Sequence, residues 1–431
     1  MKRLNGILLP KRKHAEARKI ESVPLPELVR IPMQMHIGKP CTPVVAIGEP
    51  VSVGQKIGSP ADELTVPVHS SVSGVVSAIS EHTTVTGEQI PCVEIRPDGL
   101  QKLHSGCEPP VVETRDQLIQ AARESGCVGL GGSGFPTFRK LAAPQKLNLL
   151  IVNGAECEPF LTSDIRQIAE YSGDVLGGIR LVMRFLKIKE CRIGIEKTQP
   201  AALKQIAYAA GSDENITVCP LPSVYPQGAE KIIIYHTCGR IVPEGMLPAD
   251  IGVLVMNIST LAFLFRYSKN GIPLIERVVT VGGNAVKKPG NLRVLIGTPQ
   301  HDLLKYAECN FDKVKQLICG GPMMGISLYS DEQPVIKQQN GLLALTRALR
   351  TEPTACIRCG RCMRACPMNL MPLELSRAYQ RKDAVLLEKL HIGLCMNCGC
   401  CSYVCPAKRP LAEENQLAKQ LLAESKKGAA T

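Results

Sequence analysis

The sequence predicts a multidomain fold that combines β domains with an α/β domain and a small α-helical domain. Three observations carry this prediction. Short apolar runs broken by Gly and Pro fill residues 1–100, as in all-β units. Helix-period and strand-like segments alternate from Thr114 to Phe265, as in α/β folds. Two copies of one cysteine pattern lie near the end of the chain.

Residues 1–110 are expected to form a barrel-sandwich domain with a basic N-terminal arm. Apolar runs span Pro43–Gly48, Val51–Gly58 and Val66–Val76, with Gly and Pro between them. The pattern resembles lipoyl and biotinyl domains, which carry a modifiable lysine at a hairpin tip. Lys56 lies within a strand-like segment instead. We therefore expect a structural barrel without a swinging arm.

The formal net charge is +12, and basic residues crowd the N-terminus. They are Lys2, Arg3, Lys11, Arg12, Lys13, Arg18 and Lys19. The pattern fits an ordinary solvated surface, or an arm that docks on anionic lipid or on an acidic electron carrier. No nucleic-acid recognition motif follows the arm and Trp is absent, so the sequence disfavours nucleic-acid binding.

Residues 111–265 are expected to form an α/β domain, and a glycine-rich loop runs from Gly129 to Pro136. Glycines let a backbone approach a phosphate closely, and a following helix N-terminus offers amide donors. Lys140 could add a positive charge there. The loop follows a helix-like segment, unlike the usual dinucleotide fingerprint, so a purely structural turn stays open as an alternative.

A second polar motif, NGAECEP, covers residues 153–159 and directly follows the strand-like run Leu149–Val152. Ligands of α/β sheets bind where strands end. Asn153, Glu156 and Glu158 offer donors and acceptors for a ribityl chain, a flavin edge or a ribose. A solvated turn is the alternative interpretation.

Residues 266–345 are expected to form a small β-grasp module, because short strand-like runs return from Arg277 to Gly297. A Gly-rich turn follows from Ile318 to Gly325. Residues 346–411 contain the cysteine motifs, with a helix expected over Asp383–Lys389 between them. Residues 412–431 are expected to be a polar, helical C-terminal tail.

The cysteine motif is C-x2-C-x2-C-x3-C followed by Pro, and it occurs twice. This spacing is typical of ferredoxins with two [4Fe–4S] clusters, in which the fourth cysteine of each run ligates the other cluster. One predicted ligand set is therefore Cys356, Cys359, Cys362 and Cys405. The other is Cys366, Cys395, Cys398 and Cys401. By spacing, Cys400 is spare.

The alternatives for these cysteines are weaker. A structural zinc site favours pairs that lie well apart, and disulfides favour a small secreted chain. We see no signal peptide, and the chain has nineteen cysteines, which indicates a reducing compartment. The most apolar stretch, Ile251–Phe265, is shorter than the ~20 residues that span a bilayer. It predicts a buried strand and the start of a helix, so we expect no transmembrane segment.

Seven motifs, in order and over nearly the whole chain, resemble the RnfC family, the electron-transfer subunits of ion-translocating Rnf complexes. They are VPVHSSVSG, GLGGSGFPT, NGAECEP, YPQGAEK, LPADIGVLVMN, GGPMMG and CIRCGRCMRACPMNLMP. The glycine-rich loop, the acidic turn, YPQGAEK and MNISTLA also resemble the flavin site of the FMN- and NADH-binding subunit of respiratory complex I. Ser133 replaces that family's usual Ala, and Cys157 stands where complex I has Ser.

The resemblance implies a Rossmann-like FMN/NADH domain, an SLBB-like β-grasp module and a two-[4Fe–4S] ferredoxin-like domain. Its cofactors would be FMN, NAD(H) and two [4Fe–4S] clusters. Lys140 would contact a phosphate, and Asn257 and Thr260 would lie near the flavin phosphate. The full implied pocket consists of Gly129, Gly131, Gly132, Gly134, Phe135, Lys140, Asn153, Glu156, Glu158, Tyr225, Gly228, Glu230, Asn257 and Thr260.

The resemblance also implies a peripheral protein at the cytoplasmic face of the cell membrane. It would pass electrons between NADH and ferredoxin. Membrane subunits would couple this transfer to Na⁺ or H⁺ movement, and a ferredoxin-accepting subunit would be a further partner. No catalytic side chain is expected, because the cofactors carry the chemistry. Three alternatives remain at this point: a PduS-like cobalamin reductase, a non-catalytic Fe–S scaffold and a nucleic-acid binder.

Overall fold

The structure is a computed structural model that describes residues 4–348 and 352–428. Within those ranges the strands form four sheets, and a helical unit follows them. Lys2 and Arg3 of the expected basic arm, residues 349–351 and residues 429–431 of the expected tail lie outside the described residues. No helix in the described part of the chain has the length and apolar character to span a bilayer.

The N-terminal β unit consists of two antiparallel sheets with a shared apolar core. The first contains β2 (Val29–Pro32), β8 (Gln89–Pro97), β7 (Gly74–Thr83) and β4 (Pro50–Val51), in that order. The second contains β3 (Thr42–Pro43), β5 (Lys56–Ser59) and β6 (Val68–His69). Ile31, Ile57 and Ile95 are fully buried between them, as expected for strands with one inward face. Lys56 pairs with His69 across the second sheet and is not at a hairpin tip.

The segment expected to be a docking arm is tied to the body of the protein. Ile7 forms a β-bridge with Tyr225. Further along, β1 (Ile20–Ser22) pairs in parallel with β14 (Gly290–Leu295) of a later domain. Lys13 points inward, so the segment from Ile7 to Ser22 is a structural strap and not a free basic arm.

The α/β domain contains a parallel sheet with the strand order β11-β10-β9-β12. Its strands are β9 (Leu149–Asn153), β10 (Glu190–Glu196), β11 (Ile216–Leu221) and β12 (Val253–Asn257). Its helices are α1 (Arg115–Glu124), α2 (Thr137–Leu141), α3 (Ser163–Leu186), α4 (Pro200–Ala210), α5 (Glu230–Cys238) and α6 (Ile258–Asn270). Because β10 and β12 lie on opposite sides of β9, the strand order reverses there. That reversal is the topological switch point at which such sheets bind ligands.

Helices α3 and α6 pack against each other over the sheet at two glycines of α3. A Cβ on Gly178 would come within 2.0 Å of the carbonyl oxygen of Leu261, and one on Gly177 would clash with the Phe265 ring. The absence of side chains at these two positions therefore lets the helix backbones approach closely. This contact supports the beginning of α6, which faces the switch point.

The third domain is a mixed sheet with the strand order β1-β14-β13-β17-β15-β16. Its remaining strands are β13 (Glu276–Gly282), β15 (Gln316–Cys319), β16 (Ile326–Leu328) and β17 (Gly341–Leu345). Helix α7 (Gln300–Tyr306) contributes Leu303 and Leu304 to the same core as Val279, Val281 and Leu342. The strand-like runs expected here are present, and β1 of the strap extends the sheet.

The cysteine-rich unit is helical. Its helices are α8 (Arg361–Ala365), α9 (Pro372–Gln380), α10 (Ala384–Lys389), α11 (Cys400–Tyr403) and α12 (Leu411–Gly428). Leu375, Leu387, Ile392 and Ala418 are fully buried in its core. Ala418 lies on α12, so the helix expected as a separate tail packs into this domain.

Candidate functional site

Two asparagines end neighbouring strands at the switch point. Asn153 ends β9 and Asn257 ends β12, and they are register partners. Asn257 caps α6, because its Oδ1 accepts from the backbone N–H groups of Ser259 (2.9 Å) and Thr260 (3.3 Å). Its Nδ2 donates to Asp164 Oδ2 at 2.6 Å. The two strand ends and the capped helix therefore form one polar edge.

The glycine-rich loop lies over the beginning of α6. The backbone N–H of Leu130 donates to Thr260 Oγ1 at 3.0 Å. A Cβ on Gly131 would come within 3.0 Å of Asn257 Nδ2. A bulkier residue at this position would push the loop away from the helix, so Gly131 allows the two predicted motifs to meet.

The same loop closes on itself and exposes its tip. The backbone N–H of Gly129 donates to the carbonyl of Phe135 at 2.8 Å, and that of Gly134 to Gly129 at 3.2 Å. Gly132 has a φ of +107° and Gly134 of +61°, conformations that favour glycine. No atom lies within 4 Å of a Cβ built on Gly132. The tip is therefore an exposed backbone turn beside the polar edge.

A buried arginine holds the loop from below. Arg277 of β13 donates from Nη2 to the carbonyl of Leu130 at 2.7 Å and from Nε to that of Gln339 at 3.2 Å. Burial lowers the pKa of Arg277 to about 10, which leaves it charged at neutral pH. Sequence reasoning missed this residue, because no motif marks it.

Two predicted site residues form an ion pair. Lys140 Nζ of α2 lies 2.7 Å from Glu230 Oε1 of α5 and 3.2 Å from the carbonyl of Val255. Both side chains are partly exposed. The structure thus brings together two groups that come from separate motifs, and an anion at Lys140 would compete with Glu230.

Glu156, which was expected to face flavin or nicotinamide groups, accepts hydrogen bonds at the start of α3. Its Oε1 accepts from Ser163 Oγ and from the backbone N–H of Asp164, both at 3.1 Å, and its Oε2 accepts from that of Ile165 at 3.3 Å. The carboxyl group therefore caps the first turn of α3. It is buried, and burial raises its pKa.

Glu158 is also engaged inside the protein. Its oxygens accept from the backbone N–H groups of Met323 (3.0 Å) and Met324 (2.9 Å) in the Gly-rich turn. A Cβ on Gly321 would lie 2.3 Å from Glu158 Oε2, so the turn wraps tightly around the carboxyl group. Burial raises the pKa of Glu158 to about 7. The acidic turn is thus a structural junction in which both carboxyl groups accept hydrogen bonds from backbone N–H groups.

Lys13 of the strap holds this junction together. Its Nζ donates to the carbonyls of Glu156 at 2.7 Å and Glu158 at 2.9 Å, and also to that of Leu161. These carbonyls would otherwise lack a charged donor at this turn. The sequence marked Lys13 only as one of several basic residues, and nothing local distinguishes it.

Tyr225 connects the α/β domain with the cysteine-rich domain. Its hydroxyl donates to the carbonyl of Cys398 at 2.7 Å and lies 3.4 Å from Glu158 Oε1. Its backbone carbonyl lies 3.9 Å from Cys400 Sγ. The YPQGAEK motif therefore contacts one cysteine run directly.

The same motif contacts the end of β9. Asn153 Nδ2 donates to the carbonyl of Gly228 at 2.8 Å, and the backbone N–H of Gly228 lies 3.4 Å from Cys157 Sγ. Burial raises the pKa of the Cys157 thiol to about 12. Cys157 is thus a neutral packing residue, and the motif spans the distance from the sheet edge to Cys398.

Eight cysteines line two separate cavities. One, the inner cysteine cavity, is lined by Cys366, Cys395, Cys398 and Cys401. The other, the outer cysteine cavity, is lined by Cys356, Cys359, Cys362 and Cys405. Each cavity takes three cysteines from one run and the fourth from the other run, and all are free thiols. Four thiols around one cavity are the donor set of a [4Fe–4S] cluster. Cys400 also borders the inner cavity and is buried.

Three segments of the chain match known families. Residues 2–100 match the RnfC barrel sandwich hybrid domain. Residues 122–266 match the Nuo51 FMN-binding domain. Residues 355–408 match the 4Fe-4S dicluster domain.

Similar proteins cover nearly the whole chain. A component of the Na⁺-translocating ferredoxin:NAD⁺ oxidoreductase complex of Acetobacterium woodii is 38% identical over 98% of this chain and 98% of that protein. The chain belongs to the RnfC family. A component of the proton-translocating complex of Clostridium ljungdahlii is 37% identical over 86% of this chain and 82% of its own length. A component of the ion-translocating oxidoreductase complex of Pseudomonas aeruginosa is 39% identical over 86% of this chain, which spans only 49% of that protein.

A solved structure resembles the fold more distantly. The air-oxidized NAD⁺-reducing [NiFe]-hydrogenase superposes with a TM-score of 0.50 at 17% identity, over 74% of this chain and 64% of the hydrogenase chain. At that identity the likeness concerns the fold alone. This RnfC family member is thus an electron-transfer oxidoreductase subunit with a barrel-sandwich domain, an FMN-binding domain and a 4Fe–4S dicluster domain.

Proposed function

We propose that this protein is the peripheral NADH- and FMN-binding subunit of a membrane-bound ion-translocating ferredoxin:NAD⁺ oxidoreductase complex. The relatives in Acetobacterium woodii and Clostridium ljungdahlii are named for such complexes, with Na⁺ and H⁺ respectively. Ion movement would reside in membrane subunits, and a ferredoxin-accepting subunit would be a neighbour. The site of action would be the cytoplasmic face of the cell membrane.

The contact between Tyr225 and Cys398 carries this proposal. It joins the loop that packs on the end of β9 to the wall of the inner cysteine cavity. Redox cofactors that exchange electrons must lie close to one another, and this motif contacts the proposed flavin-binding edge at one end and the inner cysteine cavity at the other. Cys359, which lines the outer cavity, is exposed.

The residues of the polar edge would hold FMN and the nucleotide. A phosphate could approach the backbone N–H groups of the exposed turn at Gly132. The N-terminus of α6 would add a partial positive charge, and Lys140 would add a full one. Asn153 and Asn257 would orient polar groups of the ligands. When bound, FMN links two-electron hydride chemistry to one-electron chemistry, and the clusters supply one-electron chemistry.

The roles of the other predicted residues differ within this proposal. Glu230 would regulate access to Lys140 through their ion pair, while Glu156 and Glu158 would shape the pocket without touching the ligands. Tyr225 and Gly228 would set the distance between the bound flavin and the inner cysteine cavity. The eight cysteines would ligate one [4Fe–4S] cluster in each cavity, with Cys400 beside the inner one.

The third domain is proposed to be an SLBB-like β-grasp module. The central parallel pair β13–β17, flanked by antiparallel strands and packed by α7, supports this assignment. The domain limits proposed are 1–110, 111–265, 266–345, 346–411 and 412–431. Two elements cross those limits. The strap pairs with the third domain through β1, and α12 packs into the cysteine-rich domain.

The test is an anaerobic reconstitution of the full chain with iron, sulfide and FMN, followed by NADH titration. We expect about eight iron atoms per chain, as two [4Fe–4S] clusters require, and bleaching of the flavin absorbance by NADH. Lys140→Ala should lower FMN or NADH affinity by about tenfold, since a charge-assisted phosphate contact contributes about 1.5–3 kcal/mol. The cluster absorbance should not change.

Lys204→Ala is the matched control, because Lys204 is an exposed lysine on α4 with no ion pair among the described residues. Zinc in place of iron, or clusters that NADH never reduces in the presence of FMN, would contradict the proposal. Equal loss of clusters and FMN in Lys140→Ala would contradict the proposed layout of the site.

A further inference from the structure

Three arginines occur at every third position of the first cysteine run. Arg358, Arg361 and Arg364 are all exposed, and Lys408 beside the other run is exposed as well. Within the described ranges no acidic group forms an ion pair with any of these four residues. The rim of the outer cysteine cavity is therefore strongly positive.

Two other arginines that line the outer cavity are neutralised by acidic neighbours. Arg377 pairs with Glu374 at 2.8 Å, and Arg409 lies 3.7 Å from Glu414. Both arginines line the same outer cavity. Among the cations at the outer cavity, the positive charge without an ion pair therefore lies at the outward rim.

The same rim exposes apolar side chains and a cavity cysteine. Ile357 is 68% exposed and Met363 is 47% exposed, and Cys359 is exposed beside them. Exposed Met and Ile next to unpaired Arg is the composition of an interface and not of an ordinary solvated surface. An open groove of about 490 Å³ adjoins the rim and is lined in part by Arg361, Arg364 and Lys408.

We infer that this rim, formed by Arg358, Arg361, Arg364 and Lys408 with Ile357 and Met363, is the docking surface for an acidic iron–sulfur protein or domain. The inference rests on the proposed function, since it assumes that the outer cavity holds a redox cluster. The charge of the surface selects an acidic partner. The exposed Cys359 edge is where a partner's redox centre could come closest to the cavity.

A transient electron-transfer contact fits the size and chemistry of this surface. Such contacts are small, and opposite charges mainly accelerate the encounter and orient it. The basic strap is a weaker candidate for the same role, because Lys13 is engaged internally and β1 is part of a sheet. Binding to a lipid surface would not require the charges to lie beside a cysteine cavity.

The experiment measures binding of an acidic two-[4Fe–4S] ferredoxin to the reconstituted full chain by stopped-flow and surface plasmon resonance, at about 50 and about 300 mM NaCl, a range over which screening of surface charges changes strongly. The test variant is Arg358→Gln/Arg361→Gln/Arg364→Gln. Its matched control is Arg381→Gln/Lys382→Gln/Lys389→Gln, which removes the same charge from exposed sites beyond the other end of α9. Iron content is measured for every preparation.

We expect the test variant to lose about tenfold or more in association rate at low salt, because steering by several charges contributes about 10–10³-fold. The control variant should stay within about twofold, and high salt should reduce the difference between them. Lys408→Gln, which lies outside the first run, should give a smaller loss in the same direction without altering iron content.

Three outcomes would overturn the inference. They are equal losses in the test and control variants, no loss in either, or a loss confined to binding of anionic phosphatidylglycerol vesicles or of duplex DNA. The readout is independent of flavin chemistry. If NADH fails to bleach FMN while ferredoxin binding still depends on the three arginines, the docking surface stands and the proposed function fails.

Discussion

At the scale of single residues, Lys13 has a structural role that its place among the basic residues of the strap does not reveal. Three backbone carbonyls of the acidic turn accept from its ammonium group. We predict that Lys13→Met lowers the free energy of unfolding by about 1–3 kcal/mol, because buried acceptors lose a charged donor. Urea unfolding followed by circular dichroism measures this.

Lys11→Met provides the comparison, since it removes the same charge from an exposed side chain of the same strap. We expect a change within about 0.5 kcal/mol for that variant, as for most surface substitutions. If Lys13→Met and Lys11→Met had the same free energy of unfolding, the hydrogen bonds of Lys13 would not stabilise the acidic turn.

Some site residues were predicted from the sequence and others were missed. The two groups differ in how far along the chain their partners lie. Asn153 and Asn257 follow apolar strand runs, so a local pattern places them at a sheet edge. Lys13 acts 143 to 148 residues away and Arg277 acts 147 residues from Leu130. No local pattern encodes such contacts. The same reason applies to Glu158, whose carboxyl group accepts from backbone N–H groups 165 and 166 residues away.

At the scale of elements, the contact between α3 and α6 depends on two glycines of α3, Gly177 and Gly178. We predict that Gly178→Ala destabilises the protein by about 1–3 kcal/mol, because its Cβ would clash with the Leu261 backbone and overpack the interface. FMN affinity should fall too, since α6 begins at the polar edge. Thermal unfolding and FMN titration measure the two effects.

Gly173→Ala, earlier in α3, is the matched control. Its Cβ would meet no atom within 4 Å, so helix propensity should stabilise the variant by about 0.5–1 kcal/mol. Destabilisation of both variants to the same extent would show that the contact with α6 is not the cause of the loss in Gly178→Ala.

The crossed cysteine sets make a prediction about pairs of variants. Cys356→Ser/Cys405→Ser changes only the outer cavity, so about four iron atoms should remain, as one [4Fe–4S] cluster requires. Cys395→Ser/Cys405→Ser changes both cavities, so both clusters should be lost or impaired. Iron analysis and EPR of the reduced protein distinguish these results. If each run ligated its own cluster, the two double variants would behave in the opposite way.

At the scale of the whole molecule, Lys337 joins three domains. It belongs to the third domain, is fully buried, and donates to the carbonyls of Pro67 in the sandwich and Gly126 in the α/β domain, both at 2.8 Å. Burial lowers the pKa of Lys337 to about 8. A charged lysine therefore holds the domain junction at the cost of its desolvation.

The stability of the protein should depend on this group at alkaline pH. The unfolded chain binds the proton more tightly than the folded protein, so the penalty is full below pH 8 and disappears as the pH rises from about 8 to about 10.5. We predict that the unfolding free energy of the wild type, relative to Lys337→Met, rises across this window. Parallel unfolding curves at each pH measure the difference. A difference that stayed constant or fell with pH would contradict the lowered pKa.

The sequence was sufficient to predict the order of the domains and the type of most of them, because these features depend on local periodicity or residue spacing. Alternating Gly, Pro and Val predicted the sandwich, which is confirmed. The strand–helix alternation predicted the α/β domain, and the cysteine runs predicted the dicluster domain, both confirmed. The β-grasp assignment remains a prediction, because a mixed sheet completed by a distant strand such as β1 has no local signature.

The sequence by itself determined the cysteine motifs, the strand ends with Asn153 and Asn257, and the glycines of the loop, because neighbouring residues suffice to encode them. Only the tertiary structure decided which carboxyl groups are buried, that the basic N-terminus is a strap, and that Tyr225 meets Cys398 173 residues away. Those features depend on desolvation and on packing between distant segments. Both arise only when the chain has folded.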